Sequence, residues 1–293
     1  MSFTPKFAVP KNLFPFEHRY IHMDDGAHIH YVDEGEGEAL LMLHGNPTWS
    51  FLYRKMIAKL RGKFRCVALD YPGFGLSEAP PGYGFLPHEH SHIVERFVDE
   101  LGLKDLTIIV QDWGGPIGLG LAGRRPELAK RFVIGNTWAW PLVGNRRVEQ
   151  FSWLMGGPIG RAMAYSFNGV VRFFLREGLV HRPDPEVYRM YLAPFKERRH
   201  RRQTAIFPRQ LIKAAEYLSE VEQGLSTVAD RPVLFTWGTK DFAFREPERE
   251  RFKQIFTLHR TVLLNASHFW QEDAADEACA AILDWIRGLA ADR

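Results

Sequence analysis

The chain alternates between short apolar runs and longer segments in which apolar residues recur every three or four positions. The short runs are typical of buried strands, and the longer spacing is typical of helices that pack on a sheet. Because the two kinds of segment alternate, the pattern predicts a mostly parallel sheet. Eight strands are predicted, at residues 18–23, 28–34, 39–44, 64–70, 106–111, 131–136, 233–237 and 261–265.

The polar turn at residues 24–26 separates the first two strands and predicts that they form an antiparallel edge of the sheet. Helices are predicted between or after strands where the apolar spacing changes. The predicted helices are residues 49–60, 90–101, 116–124 and 276–289.

The alternation stops between Trp138 and about Leu218, a stretch rich in aromatic and basic residues that lacks strand-like runs. Prolines at positions 141, 158, 183, 185, 194 and 208 are expected to divide it into short helices. We interpret this stretch as a helical cap over the edge of the sheet where open α/β sheets bind ligands. The prediction is an α/β core of residues 1–137 and 219–293 with a cap of residues 138–218.

Composition narrows the class of protein. A chain of 293 residues with 45% hydrophobic and 25% charged residues fits one globular α/β unit with an insertion. The net charge is +3, and the basic run at 196–202 lacks aromatic interleaving, so nucleic-acid binding is not expected. Cys66 and Cys279 are too few for a disulfide framework and are expected to be buried thiols. With no transmembrane-length segment and no apolar leader, we expect a soluble cytoplasmic protein.

The strongest candidate for chemistry is Asp112. The β-branched run at 107–110 ends abruptly, and Gly114 and Gly115 open a helix just beyond the aspartate. A strand, a sharp turn and a helix form the setting that holds a nucleophile exposed. Here the nucleophile position holds aspartate rather than serine, and Val110 occupies a position where glycine is usual. An aspartate at a strand end is more often a turn residue, so the assignment depends on its neighbours.

A second motif follows the strand at 39–44, which runs into His44-Gly45-Asn46-Pro47. In proteins with a nucleophile elbow, this loop donates one backbone N–H to an oxyanion hole, and the residue after the nucleophile donates another. Those positions are Asn46 and Trp113. His44 is interpreted as a residue that orders the loop, and Asp70 as one that ties the following loop by hydrogen bonds.

Asp241 and His268 complete the chain order nucleophile, acid, base. Each follows a predicted strand, at 233–237 and 261–265 respectively. Glu246 lies five residues beyond Asp241, and Asn136 carries no charge, so neither is the preferred acid. The competing histidines cluster at the start of one helix and are expected on the surface: His88, His90 and His92.

Four motifs together resemble the haloalkane dehalogenases, a family of α/β-hydrolases. They are His-Gly-Asn-Pro-Thr-Trp-Ser (44–50), Asp-Tyr-Pro-Gly-Phe-Gly-Leu-Ser (70–77), Gln-Asp-Trp-Gly-Gly (111–115) and Asn-Ala-Ser-His-Phe (265–269). The resemblance spans nearly the whole chain, and the cap segment 191–195 also fits it. An acid after the seventh strand with an Asn–Trp pair is most similar to the third subfamily. The resemblance implies no metal and no organic cofactor.

An aspartate suits this chemistry because it forms an ester with an alkyl carbon, and water can hydrolyse an ester. The indole N–H of Trp113 and the amide of Asn46 would stabilise the departing halide, at about 3 kcal/mol per donor. His268 would then activate water, with Asp241 holding its tautomer. The expected partners are a small apolar halogenated substrate, water and a halide ion, and the oligomeric state stays open.

The substrate pocket should be apolar, with walls from the cap and from loops beside the triad. The candidate wall residues are Trp138, Phe151, Phe167, Phe207, Pro208, Leu211, Phe242 and Phe269. Plain core packing explains each of them equally well.

Three alternatives remain at this point. An epoxide hydrolase also uses an aspartate nucleophile, and the cap tyrosines at 165, 188 and 191 could serve as its acids. A light-emitting oxygenase on the same scaffold shares these motifs. A catalytically idle binding protein is disfavoured by the intact nucleophile, acid and base.

Overall fold

A computed structural model describes residues 5–291 of the chain, and within them eight strands form one sheet. The strands are β1 (Arg19–His22), β2 (His28–Glu34), β3 (Ala39–Leu43), β4 (Arg65–Leu69), β5 (Leu106–Gln111), β6 (Ala129–Gly135), β7 (Val233–Gly238) and β8 (His259–Leu264). Their order is β1-β2-β4-β3-β5-β6-β7-β8. β2 pairs antiparallel with both β1 and β4, and all other neighbours are parallel. The predicted fold class and antiparallel edge are confirmed.

The central strands are buried along their whole length, because helices cover the sheet. One group of helices packs around α3 (Gly114–Arg124) and the other around α12 (Ala275–Ala291). The core helices are α1 (Arg54–Leu60), α2 (Pro87–Glu100), α3 (Gly114–Arg124), α9 (Ala215–Gly224), α10 (Glu246–Ile255), α11 (Trp270–Asp273) and α12 (Ala275–Ala291), numbered in chain order with the five described next.

Five helices form the insertion between β6 and α9. They are α4 (Arg146–Gly156), α5 (Pro158–Phe167), α6 (Gly169–Glu177), α7 (Pro185–Leu192) and α8 (Arg202–Lys213). They pack mainly on one another, whereas α9 packs on α3. The boundary predicted at residue 218 lies within α9, so these contacts favour an end of the insertion at Lys213.

Short 3-10 helices occupy several of the connections between these elements. They span Ser50–Tyr53, Pro126–Leu128, Ala193–Phe195, Arg198–Arg201 and Leu225–Val228.

Cys66 and Cys279 are buried thiols that form no disulfide bond, as predicted, and burial raises the pKa of each thiol to about 12. No helix of the described chain has the length and apolar character needed to cross a bilayer.

Buried polar groups order the loops beneath the site. Asp70 is fully buried and accepts hydrogen bonds from the backbone N–H groups of Ser50 and Leu76, at 2.7 and 2.9 Å. His30 Nδ1 lies 2.8 Å from the same carboxylate. Asp70 therefore ties two loops to β2, as its position in the motif predicts.

The expectation that His90 lies on the surface is wrong, because its ring is buried and stacks on the cap residue Phe207.

Candidate active site

Asp112 stands at the tip of a sharp turn between β5 and α3. Its φ of 50° lies in the left-handed region, a strained conformation for a residue other than glycine. The Thr137 hydroxyl donates to the Asp112 carbonyl at 2.5 Å and supports the turn. A Cβ at Gly114 would collide with the Leu43 carbonyl, and a Cβ at Gly115 would collide with Thr137. The two glycines therefore let the turn approach β3 and the loop after β6, and the carboxylate projects from the sheet edge.

The loop after β3 holds the Asp112 carboxylate in place. The Asn46 N–H donates to Asp112 Oδ1 at 2.7 Å, and a side chain at Gly45 would collide with the same carboxylate. His44 orders this loop, since its Nδ1 is 2.9 Å from the Gly45 carbonyl and its Nε2 accepts from the Tyr71 N–H at 3.2 Å. Burial lowers the pKa of His44 to about 4, so its ring is neutral and can accept that bond.

The structure brings His268 and Asp241 together with Asp112. His268 Nε2 lies 3.5 Å from Asp112 Oδ2, and His268 Nδ1 lies 3.0 Å from Asp241 Oδ2. The Asp241 carboxylate also accepts from the backbone N–H groups of Ala243 and Phe244, at 2.7 and 3.2 Å. Burial would lower the pKa of His268, but the two carboxylates outweigh it and raise the pKa to about 10. The imidazole can therefore carry a proton between two anions.

Gln111 is a site residue that the sequence reasoning missed. Its buried Nε2 lies 2.9 Å from His268 Nε2 and donates to the His268 carbonyl at 3.1 Å. Because a carbonyl only accepts, this second contact points the NH₂ end of the amide at the ring. The donor then needs a lone pair on Nε2, which favours neutral His268 with its proton on Nδ1, facing Asp241. The position just before Asp112 was the only signal in the sequence.

Asn46 and Trp113 both line the cavity in front of Asp112. Within residues 5–291, neither the Trp113 indole N–H nor the Asn46 side-chain amide donates to a protein acceptor. Trp113 is wedged between Trp138 and Phe207, with ring centroids 4.7 and 5.1 Å away. Two rigidly held neutral donors beside a carboxylate can stabilise a small anion released there.

The cavity has a volume of about 110 Å³. Of the predicted wall residues, the structure places Phe151, Pro208, Leu211 and Phe242 on its lining. Sequence reasoning missed further apolar lining residues, namely Leu142, Val148, Phe174, Ala243 and Phe244. Polar groups are also part of the lining, including Asn145, Arg147 and Glu248. The cavity is therefore mainly apolar.

Four predicted wall residues lie elsewhere. Trp138 and Phe207 are buried behind Trp113, and Phe269 packs on His268 with ring centroids 4.9 Å apart. The prediction that Phe167 forms part of the cavity wall is wrong, because its side chain is 74% exposed on the surface of the cap. It ends α5 and is not part of the cavity lining. Among the described residues, no cluster of three or more histidine, cysteine or acidic side chains could hold a metal ion.

Comparison with known proteins places this geometry in a family. Residues 38–275 match the family model of the alpha/beta hydrolase fold. The chain is 42% identical to "Haloalkane dehalogenase 2" of Mycobacterium tuberculosis, over 97% of this chain and 98% of that protein. It is 32% identical to a "Cis-3-alkyl-4-alkyloxetan-2-one decarboxylase" of Shewanella oneidensis, over 92% and 88% of the two chains.

The fold also matches a solved structure, that of haloalkane dehalogenase DbeA from Bradyrhizobium elkani. The TM-score is 0.84, with 24% identity over 95% of this chain and 99% of that one. The likeness therefore extends over the core and the insertion alike.

Proposed function

The chain belongs to the haloalkane dehalogenases of the α/β-hydrolase fold, and we propose that it hydrolyses small haloalkanes through an ester on Asp112. The products are an alcohol, a halide ion and a proton. The observation that carries this proposal is the surroundings of Asp112. The carboxylate faces an apolar cavity, 3.5 Å from the base His268 and beside the free N–H donors of Asn46 and Trp113.

In the first step, an oxygen of Asp112 attacks the carbon that carries the halogen. The carbon–halogen bond breaks as the carbon–oxygen bond forms, and the halogen leaves with the electron pair. Charge moves from the carboxylate to the halide, so donors aimed at the halide lower the barrier. We propose that Trp113 and Asn46, which both line the cavity, supply them. The mainly apolar walls keep water scarce, which strengthens these interactions.

In the second step, His268 takes a proton from water, and the oxygen of that water attacks the ester carbonyl of Asp112. The N–H of Asn46, which already donates to Asp112 Oδ1, stabilises the negative charge on that oxygen. Asp241 holds the Nδ1 proton of His268 and stabilises the imidazolium. When the intermediate collapses, the bond between the carboxyl carbon and the alkyl oxygen breaks, and the departing oxygen takes the proton of the newly added hydroxyl group. The alcohol leaves, the Asp112 carboxylate is restored, and His268 then returns its proton to solvent.

The size of the cavity selects the substrate. The cavity is small, about 110 Å³, and its walls are mainly apolar. We therefore propose short haloalkanes as substrates. The same small volume disfavours a ring that carries two alkyl groups, as in the name of the Shewanella relative.

The cavity lining also disfavours an epoxide hydrolase. That reaction needs an acid to protonate an alkoxide, yet no tyrosine lines the cavity among residues 5–291. Tyr191 is buried and donates to Glu272 at 2.6 Å, and Tyr188 accepts from Arg172 at the cap surface. Tyr165 lies beneath the guanidinium of Arg198. None of the three is part of the lining beside Asp112.

Halide release and isotope labelling test the proposal. The protein is incubated with 1,2-dibromoethane or 1-iodobutane, with styrene oxide and a cis-dialkyl β-lactone as rival substrates. Halide release from the haloalkanes alone is expected, and Asp112→Ala should abolish it. His268→Phe should release one halide per enzyme and retain the alkyl group as a covalent ester. The matched control is Asp284→Ala, which removes an exposed carboxylate on α12 and should leave turnover unchanged.

A single turnover in heavy-oxygen water distinguishes the ester route from direct attack by water. The label should enter the Asp112 carboxylate, and the alcohol should carry an unlabelled oxygen. Normal turnover by Asp112→Ala, or label in the first alcohol released, would refute the proposal.

A further inference from the structure

The outer face of the cap carries apolar side chains that the fold leaves uncovered. On α5, Ile159, Met163 and Phe167 follow one another at four-residue spacing and are 61%, 40% and 74% exposed. On the neighbouring α4, Trp153 and Leu154 are 65% and 49% exposed. We call these five residues the cap face. Single exposed apolar residues are common, but five large ones on two helices that pack on each other favour a binding surface.

A groove lined by arginines borders the cap face. It measures about 730 Å³, and Met163 belongs to its lining together with Arg172, Arg176, Arg182 and Arg189. Arg176 and Arg189 have a glutamate within 4 Å. Across the part of the chain that the structure describes, Arg172 and Arg182 have no carboxylate within that distance. Arg172 donates to two uncharged oxygens, the Phe167 carbonyl and the Tyr188 hydroxyl, so the charge of both exposed guanidinium groups is available to an external anion.

The net charge of the cap favours an anionic partner over a second copy of this protein as the molecule that binds the cap face. Residues 138–218 contain 14 Lys and Arg but 6 Asp and Glu, a net charge of +8, although the chain as a whole carries +3. A second copy docked face to face would bring two strongly basic surfaces together, which repel each other. An anionic partner with an apolar interior is complementary to both features. Aromatic and aliphatic side chains flanked by arginines are typical of helices that lie in a membrane interface.

We propose that the cap face binds the surface of an anionic lipid bilayer. Trp153, Ile159 and Phe167 enter the headgroup region, and the arginines of the groove contact lipid phosphates. This adsorption needs no spanning helix, and it is independent of the reaction assigned to Asp112. Because α4 also lines the cavity through Val148 and Phe151, the helix that touches the bilayer is also part of the active-site wall.

Trp153 provides a direct readout. All eight tryptophans lie within the described residues, and Trp153 alone among them is exposed. Its emission should shift to the blue with vesicles of phosphatidylglycerol and phosphatidylcholine in equal parts. Binding to these vesicles should be at least about tenfold stronger than to phosphatidylcholine alone, and should weaken between about 0.05 and about 0.5 M NaCl. In Trp153→Phe the spectral shift should disappear while co-sedimentation with vesicles persists.

Two double variants separate the apolar contribution to vesicle binding from the electrostatic one. Ile159→Ser with Phe167→Ser should abolish co-sedimentation, and Arg172→Ala with Arg182→Ala should reduce it about tenfold or more. Leu258 lies outside the cap, on the surface of the α/β part of the protein, and is 58% exposed. The control variant Leu258→Ser should therefore bind vesicles like the parent protein. All variants should keep the parent unfolding temperature. Equal binding to neutral and anionic vesicles, absence of binding, or lipid-free self-association abolished by the Ile159 and Phe167 changes would overturn the proposal.

Discussion

Replacing Gln111 with leucine tests how the base His268 is prepared for ester hydrolysis. In the structure, the Gln111 amide donates to His268 Nε2, the atom that must accept a proton from water. The donor stabilises the neutral ring and opposes the two carboxylates that favour the imidazolium. Gln111 is thus a positioning residue that acts through His268. Gln111→Leu removes this donor at similar volume, and it also removes Gln111 Oε1, which is buried without a partner.

The expected shift follows from the strength of one hydrogen bond. A net contribution of about 1 kcal/mol corresponds to roughly 0.7 of a pKa unit. Because the lost bond favoured the neutral ring, the pKa of His268 should rise in Gln111→Leu. The acid limb of the pH–rate profile for ester hydrolysis should move to higher pH by that amount. Below the pKa, the rate of ester hydrolysis should fall about fivefold.

Single-turnover kinetics isolate the effect. The halide burst reports alkylation of Asp112 and should change little, whereas decay of the ester should carry the pH shift. Gln111→Glu places a third carboxylate beside the ring and should shift the limb further in the same direction. Equal unfolding temperatures would show that the fold is intact. An acid limb that stays in place, or moves to lower pH, would refute the assigned role of Gln111.

Three further predictions follow from the site. Trp113→Phe should slow the halide burst by about 10²–10³-fold and weaken halide binding, as measured by stopped-flow and ion titration, because one of two donors is lost. Phe151→Ala should enlarge the cavity and raise kcat/KM for longer haloalkanes relative to 1,2-dibromoethane by up to about tenfold. Buried neutral His44 has a pKa of about 4, below its unfolded value of 6.5, so its contribution to stability is present above pH 6.5. That contribution, up to about 3 kcal/mol, should be lost towards pH 4, and denaturant unfolding of His44→Asn should show a smaller loss.

The sheet was predictable because its strands combine two strong signals. The central strands are short apolar runs and the edge strands are short segments between turn residues, so all eight were located to within two residues at either end. The cap was predictable only as an interruption. Prolines begin α5 and α7, but Pro208 lies inside α8 rather than ending it. Proline marks a helix boundary statistically, and packing against α4 overrides that preference here.

The site residues at strand ends could be predicted from sequence motifs, whereas those on the cap depend on how its helices pack. Residues at strand ends were found because the end of a strand fixes where a side chain emerges, and the structure brings Asp112, Asp241 and His268 together. Only some of the cap residues predicted to line the cavity do so. Which side chains of a helix face inward depends on how the helix is rotated about its axis, and composition does not reveal that rotation. Phe151 faces the cavity, and Phe167 faces solvent. Gln111 escaped notice because a strand-end amide has no catalytic signature of its own.

An aspartate nucleophile changes the electrostatics of the triad in a way that orders the two steps. With Asp112 ionised, His268 lies between two carboxylates, which raise its pKa to about 10 and so favour the imidazolium over the neutral ring. In the proposed reaction, alkylation converts Asp112 into a neutral ester and removes one of those charges, so the pKa of His268 should fall. The ring can then release its proton and accept another from water. The base thus becomes competent only once there is an ester to hydrolyse, and Gln111, which favours the neutral ring, lowers the cost of that change.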